Sequence, residues 1–158
     1  MENFEKFYNA SLRFLSFRPR SEKEVRDSLK RKKAPPKIIE EIILKLKELN
    51  FINDREFAKW WIEQRLTFRL KALRVIKNEL KLKGIIDEIT EDVLRESQVE
   101  QKADYDIAKK LAERKVERYK GLAYKDKRLK LTRFLANKGF SFEDIEKSID
   151  DILGKRYN

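Results

Sequence analysis

The chain has 158 residues, with 39 Lys and Arg against 28 Asp and Glu, so its formal net charge is +11. It contains no Cys and no His, which excludes disulfides, thiolate chemistry and histidine-based catalysis or metal binding. Only four Gly and three Pro occur, and this composition favours helices. No apolar run approaches the roughly 18 residues of a membrane span, and the start has no leader-like pattern. We therefore expect a soluble, cytoplasmic protein.

The first predicted module, residues 1–52, has three helices. Apolar residues recur at helical spacing across 4–15 and predict the first helix. The run Ser21-Glu22-Lys23-Glu24 has the pattern of a capping box and predicts the start of the second helix. Pro36 suits the first turn of a third helix, whose predicted apolar face ends at Leu49.

The second predicted module, residues 53–101, follows without a linker. Asn53 and Asp54 each offer a side-chain oxygen to cap its first helix. Its second helix is predicted over 72–83, and Gly84 stands where a left-handed residue would end that helix. A third helix is capped either at Thr90 or near Asp87.

The third predicted module, residues 102–154, begins near Asp104. Its second helix ends at Gly139, and Ser141 caps the last helix. Residues 155–158 are predicted to form a frayed tail.

The second helices of the three modules align. Their equivalent apolar positions are Val25, Ile76 and Leu131, and then Leu29, Leu80 and Leu135. The repeat is therefore roughly fifty residues long, as in other helical arrays. One module of this size buries too little surface to be stable alone, so neighbouring modules must pack on each other. The pattern predicts an all-α, elongated tandem array of three three-helix modules, with curvature left open.

At these positions the chain resembles the RecX family, the bacterial modulators of the RecA recombinase. The resemblance rests on four runs in a fixed order, which are 15–25, 51–58, 80–85 and 134–141. One departure is clear, because the family usually has a glycine before the second helix of the middle module. Residues 67–72 contain none, so we expect this turn to use a different backbone geometry.

The resemblance implies a regulatory protein that has no catalysis and no cofactor of its own. Family members resemble tandem three-helix repeats that bind in the groove of the RecA filament on single-stranded DNA. They lower its ATPase, strand-exchange and co-protease activities, and so restrain homologous recombination and the SOS response in DNA repair. We expect the RecA filament, single-stranded DNA and double-stranded DNA as partners, no membrane contact, and a monomer. It stays open whether the protein contacts RecA, DNA or both. It also stays open whether it caps the filament or promotes its disassembly.

Basic residues form a stripe along one face of the second helix in the first two modules. The stripe residues are Lys23, Arg26, Lys30 and Lys33 in the first module and Lys71, Arg74, Lys77 and Lys81 in the second. Like charges on one helix repel mildly, and a partner phosphate or carboxylate would relieve this repulsion. The alternative is a merely solvated face. The third module has a different basic cluster, which consists of Lys125, Lys127, Arg128, Lys130 and Arg133.

Two arginines and two tryptophans are further candidates. Arg18 and Arg20 flank Pro19, and they either bind a phosphate or an acidic side chain or cap the preceding helix. Trp60 and Trp61 are adjacent, so their side chains point about 100° apart on a helix. We expect one in the core and the other at a module interface or in a binding groove. The alternative is that both pack between modules.

Two other classes of function remain for comparison. A general DNA-binding helical protein would bind naked DNA tightly and with a steep salt dependence. A nuclease with clustered carboxylates and Mg²⁺ would need a spaced acidic motif, and none is apparent. The most noticeable carboxylates, Asp54, Glu56 and Asp144, are better explained as helix caps.

Overall fold

The computed structural model describes residues 1–97, 99 and 103–154. Over these residues the secondary structure consists of nine α-helices and one short 3-10 turn, Glu117–Tyr119, with no strand. The helices are α1 (Glu2–Ser16), α2 (Glu22–Arg31), α3 (Pro36–Glu48), α4 (Asp54–Thr67), α5 (Leu73–Leu82), α6 (Asp87–Glu96), α7 (Ala103–Val116), α8 (Tyr124–Asn137) and α9 (Phe142–Leu153). The prediction of an all-α fold is therefore confirmed.

The chain divides into two compact units. Unit 1 comprises Met1–Trp61 and Glu79–Leu94, and unit 2 comprises Ile62–Asn78 and Arg95–Asn158. The boundary therefore passes within α4 and within α5, so the residues of the middle module belong to both units.

The core of unit 1 includes the inner faces of α1, α2 and α3. Val25 and Leu29 from α2 are fully buried, as are Ile42 and Leu46 from α3, and Phe7 joins them from α1. These are the positions that the helical periodicity selects. Burying such side chains contributes about 1.5–3 kcal/mol each, which offsets the entropy lost when the helices become ordered.

The core of unit 2 is formed mainly by α7, α8 and α9. Ala108 and Ala112 let α7 approach its neighbours closely, and Leu131, Leu135 and Ile149 fill the space between the helices. The predicted equivalence of the second helices is visible here, because Leu135 is as completely buried in unit 2 as Leu29 is in unit 1.

Several predicted helix ends are confirmed by hydrogen bonds. The Ser21 side chain accepts from the Glu24 N–H, which forms the capping box of α2. Asn53 Oδ1 accepts from the Glu56 N–H at 3.1 Å at the start of α4. Ser141 accepts from the Asp144 N–H at the start of α9. In each case the side chain satisfies an N–H that has no partner within its own helix.

The turn between α4 and α5 needs no glycine. The non-glycine residues of positive φ in the described chain are Lys33 and Asn50, so residues 67–72 all have negative φ. Leu70 and Ala72 are buried in this turn. The turn therefore tolerates the replacement of the glycine that the family usually has there.

Two expected inner positions, Leu49 and Leu73, differ from the structure. Leu49 follows α3 instead of lying on its inner face, and it is exposed. Helical spacing predicts that Leu73 shares the buried face of the second helix with Ile76 and Leu80, but Leu73 is only half-buried, and it is the first residue of α5. Of the two predicted starts of the third helix, the region of Asp87 is confirmed, because α6 begins at Asp87 and Thr90 lies buried inside it. The predicted tail, 155–158, and the predicted module boundary at 101–102 lie outside the described residues.

Candidate functional site

Glu24 lies in the first turn of α2 and joins several hydrogen-bond donors in unit 1. Its carboxylate accepts from two nitrogens of the Arg18 guanidinium, at 2.6 and 3.2 Å, and from the Lys83 ammonium at 2.9 Å. The Ser21 N–H donates to it at 3.0 Å. Burial alone would raise the pKa of Glu24, but these hydrogen bonds outweigh burial and lower the pKa. Glu24 is therefore an ionised hub that holds two cations.

The first turn of α2 docks on the turn that follows α5. The Ser21 hydroxyl donates to the Lys83 carbonyl at 2.7 Å. Gly84 has a φ of 80°, and a Cβ added to it would lie 2.7 Å from the Cβ of Lys23. Glycine is needed here both for the backbone conformation and for the close approach.

The same junction recurs in unit 2, where the first turn of α5 docks on the turn that follows α8. The Ala72 N–H donates to the Lys138 carbonyl at 3.4 Å, and the Arg74 guanidinium donates to the Gly139 carbonyl at 3.0 Å. A Cβ added to Gly139 would overlap the side chain of Val75. Two successive pairs of second helices are therefore joined by one kind of contact.

An aspartate from the following module completes each junction. Asp54 accepts from the Glu22 N–H at 2.9 Å, and Asp104 accepts from the Leu73 N–H at 2.7 Å. Burial raises the pKa of both carboxyls, although each accepts a backbone hydrogen bond that acts in the opposite direction. The prediction that Asp54 caps its own helix is thus wrong, because it caps α2. The sequence signal for this capping role is a repeated spacing. Asp54 follows the first residue of α2 by 32 positions, and Asp104 follows the first residue of α5 by 31.

The predicted basic stripe on α2 is interleaved with carboxylates. Arg26 binds Glu22 at 2.9 Å and Glu40 at 2.5 Å, and Lys23 binds Asp27 at 2.8 Å. The side chains of Lys30 and Lys33 are exposed and form no hydrogen bond or ion pair with the described residues. Lys33 has a φ of 61° and lies beyond the end of α2 at Arg31, so it is not on the helix face as predicted. Much of the positive charge on this face is therefore balanced within the protein.

The predicted stripe on α5 has a different environment. Arg74 and Lys77 are exposed and Lys71 is half-buried. Arg74 donates to a backbone carbonyl, and the charges of Arg74 and Lys77 oppose the rise that burial causes in the pKa of Asp104. Lys71 lies before the first residue of α5, so it is not on the helix face as predicted. Lys81 is exposed and forms no ion pair in the described part of the chain.

Arg18 and Arg20 have separate roles. Arg18 forms the ion pair with Glu24 and lies 5.9 Å from the ring centre of Trp60. Arg20 Nε donates to the Phe14 carbonyl at 3.2 Å, near the end of α1, and the guanidinium lies 3.9 Å from the centre of the Phe14 ring. Burial and the nearby charge of Arg18 lower the pKa of Arg20. Arg20 fits the capping interpretation, whereas Arg18 binds a carboxylate of the same chain, and its contact with a partner stays a prediction.

The basic cluster on α8 divides into one bound arginine and several exposed cations. Arg128 binds Glu146 at 2.6 Å and Asp150 at 2.7 Å, both on α9. Burial opposes its charge, but these carboxylates outweigh burial and raise its pKa. Lys125, Lys130 and Arg133 are exposed, and Lys127 is half-buried. Apart from Arg128, the members of this cluster form no ion pair within the described residues.

The net charge is distributed unevenly between the two units. Unit 1 contains 17 Lys and Arg against 15 Asp and Glu, a net charge of +2. Unit 2 contains 22 Lys and Arg against 13 Asp and Glu, a net charge of +9. Most of the excess that attracts a polyanion therefore belongs to unit 2.

Unit 1 has an open cleft of about 510 Å³ with aromatic walls. The end of α1 and the start of α4 supply its walls, and the residues that matter most are Leu15, Arg18, Arg20, Phe51, Phe57 and Trp60. We call this feature the aromatic cleft. Phe51 is 52% exposed, and Phe17, which stands between two lining residues, is 73% exposed.

The two tryptophans are both half-buried, so the prediction that one of them belongs to the core is wrong. Phe57 is the fully buried aromatic residue of α4. Trp61 Nε1 donates to Glu79 at 2.9 Å, while Trp60 lines the aromatic cleft. Trp60 therefore lies in a groove, as one alternative predicted, and binding in that groove stays a prediction.

Two absences hold for the part of the chain that the structure describes. None of its helices is both long enough and apolar enough to cross a membrane. No group of three or more carboxylates is arranged to hold a metal ion there.

These features define a class, that of all-α tandem-repeat proteins with a basic surface. Family models support the three-module plan, because the first RecX three-helix domain matches residues 8–46, the second 53–94 and the third 103–149. The resemblance predicted from the sequence is confirmed, and the chain belongs to the RecX family.

Individual relatives agree with this assignment. A regulatory protein RecX from Bacillus pumilus is 37% identical over 147 residues, which are 93% of this chain and 55% of that protein. One from Finegoldia magna is 36% identical and is covered to 72% of its length, with 94% of this chain aligned. The crystal structure of RecX from Lactobacillus salivarius has a TM-score of 0.76 at 35% identity, covering 96% of this chain and 97% of that one. The chain spans about half the length of several curated relatives, such as the Bacillus protein.

Proposed function

We propose that this protein binds the filament that RecA forms on single-stranded DNA and inhibits its ATPase, strand-exchange and co-protease activities in the cytoplasm. It would act as a docking protein without catalysis of its own. The observation that carries this proposal is the match of three RecX domains, in order, along the chain. The resemblance described above supplies RecA as the partner.

The charge distribution supports a role for DNA in this docking. Unit 2 has a net charge of +9, and it contains exposed cations on α8 that lack carboxylate partners in the described chain. Such cations gain free energy by releasing counterions from phosphates. We therefore propose that unit 2 makes the principal contact with the DNA backbone, single-stranded or double-stranded.

The same charge favours a second candidate function, that of a general DNA-binding protein acting without RecA. Both candidates predict salt-dependent binding to naked DNA. They differ in stoichiometry, because a protein that docks on a filament or caps its end acts at a small fraction of the RecA concentration. A protein that only sequesters DNA must match the number of DNA sites.

The test is ATP hydrolysis by RecA on single-stranded DNA, with this protein added after filaments have formed. Inhibition well below one protein per RecA subunit is expected. Inhibition that appears only when the DNA sites are saturated would favour the general DNA-binding function.

A charge-reversed pair of variants sharpens the test. Lys77→Glu with Lys81→Glu changes the exposed α5 stripe and spares Arg74, whose hydrogen bond to Gly139 belongs to the junction. Lys32→Glu with Lys37→Glu makes the same change in charge at exposed positions of unit 1. The α5 pair should weaken inhibition, and the control pair of Lys32 and Lys37 should not. Equal inhibition by both pairs and the wild type would exclude the α5 stripe from docking.

A further inference from the structure

The aromatic cleft of unit 1 is a feature that phosphate binding does not explain. It lies where two of the runs that carry the family resemblance meet, 15–25 and 51–58. Phe51 lines the cleft and is exposed, and the exposed Phe17 stands in the sequence between the lining residues Ser16 and Arg18. Exposed aromatic side chains grouped around a cleft are typical of places where a partner docks.

The cleft is held in shape before any partner arrives. Asn50 adopts a φ of 56°, and the Phe51 N–H donates to the Leu46 carbonyl at 2.8 Å, which fixes the backbone under Phe51. On the opposite wall, the Arg18 guanidinium is fixed by Glu24 and lies within 6 Å of both tryptophan ring centres. A partner would therefore meet aromatic groups whose conformational entropy is already reduced.

The charges at the cleft favour a protein over a polyanion. Arg18 is paired with Glu24, and Arg20 is stacked on Phe14 and bound to its carbonyl. Glu56 also lines the cleft, and unit 1 as a whole has a net charge of only +2. A phosphate backbone would gain little attraction here and would lie beside a carboxylate. An apolar side chain from a protein surface matches both the aromatic walls and the near-neutral charge.

We propose that the aromatic cleft receives an apolar side chain presented by the protein subunits of the filament, and that bases of DNA do not occupy it. This inference rests on the proposed function, because it assigns the protein contact to unit 1 and leaves the DNA contact to unit 2. Phe17 and Phe51 would make the largest contribution, since they are exposed in the free protein and become buried on docking.

The experiment compares the double variant Phe17→Ser, Phe51→Ser with the wild type in two assays. One measures inhibition of RecA filament ATPase, and the other measures affinity for a naked single-stranded oligonucleotide by fluorescence anisotropy. The concentration for half-inhibition should rise about tenfold or more, as expected for loss of a central aromatic contact. The affinity for naked DNA should stay within about twofold, and the circular dichroism spectrum should not change.

The matched control is Phe142→Ser, because Phe142 is also 73% exposed but belongs to unit 2. It should leave both assays unchanged. An equal loss of naked-DNA affinity and inhibition in the double variant would mean that bases stack in the cleft, and it would overturn the proposal. Full inhibition by the double variant would also overturn it while leaving the proposed function intact. Absence of inhibition by the wild type would reject the proposed function and, with it, this inference.

Discussion

Units 1 and 2 use the same junction chemistry but present different surfaces. In each unit a second helix begins against the glycine turn of the next second helix, and an aspartate caps it. Unit 1 then balances its cations with carboxylates and exposes aromatic residues. Unit 2 leaves most cations of α8 without carboxylate partners among the described residues. The internal contacts therefore define the repeat, and the outer surface of each unit is free to specialise.

The two surfaces should respond differently to solution conditions. Binding through unpaired cations weakens steeply as salt rises, whereas burial of aromatic surface is nearly insensitive to salt. One chain would thus combine a fast, electrostatic attraction to DNA with a specific apolar contact.

The largest expected effect concerns the junction in unit 2. Gly139→Ala introduces a Cβ at a φ of 90° and overlaps the branched side chain of Val75, which has little rotamer freedom. Backbone strain and overpacking together should destabilise the protein by about 2–6 kcal/mol. Thermal unfolding followed by circular dichroism measures this loss.

The matched control for this substitution is Gly121→Ala. Gly121 has a φ of 88° and no atom within 4 Å of an added Cβ, so it reports backbone strain alone, about 1–3 kcal/mol. Gly84→Ala tests the equivalent junction in unit 1. If Gly139→Ala were no worse than Gly121→Ala, the close docking of α5 on the α8 turn would be refuted.

The next effect concerns the hub of unit 1. Glu24→Gln keeps the shape of the side chain but removes the charge that holds Arg18 and Lys83. Hydrogen bonds to charged groups contribute about 1.5–3 kcal/mol, so a loss of about 2 kcal/mol is expected in urea unfolding. A loss below about 0.5 kcal/mol would show that the hub contributes little to stability.

Glu24 also predicts a pH dependence. Its pKa is lowered from the ordinary value of 4.5 in the folded protein. The stabilisation is therefore present above pH 4.5 and is lost as the pH falls through the lower, folded-state pKa. Glu24→Gln should flatten the decline of the melting temperature in acid. An unchanged decline in the variant would contradict the lowered pKa.

The smallest effect on stability concerns the capping aspartates. Asp104→Ala removes the acceptor for the Leu73 N–H and should cost about 1 kcal/mol. Asp104→Asn keeps an acceptor and removes a carboxylate whose pKa is raised by burial, so its stability should be equal to that of the wild type or slightly higher. The corresponding changes at Asp54 should follow the same order. Equal losses for Asn and Ala at Asp104 would mean that the charge matters more than the acceptor.

The sequence predicts local structure well where one helix determines it. The capping box at Ser21 and the burial of Leu29, Leu80 and Leu135 follow from periodicity and from short-range hydrogen bonding. The role of Asp54 could not be predicted from its own neighbourhood, because its partner lies 32 residues away. Local patterns favour the nearest helix, and tertiary contact overrides them.

The candidate site was less predictable than the fold for the same reason. A helical wheel places Lys23 and Arg26 on one face, but it does not show that Asp27 and Glu40 neutralise them. The aromatic cleft requires residues from two segments about 35 positions apart, such as Leu15 and Phe51. Binding surfaces depend on which distant side chains meet, and composition alone does not contain that information.

The most direct test of this comparison is the salt dependence of binding to single-stranded DNA, measured for the wild type and for two charge-reversed variants. One variant changes Lys127, Lys130 and Arg133 to Glu in unit 2, and the other changes Lys30, Lys32 and Lys33 to Glu in unit 1. The slope of log affinity against log salt should fall by about 2 for the unit 2 variant, at roughly 0.7 for each lost phosphate contact. It should change by less than about 0.5 for the unit 1 variant. Equal changes in slope for the two variants would contradict the assignment of DNA binding to unit 2.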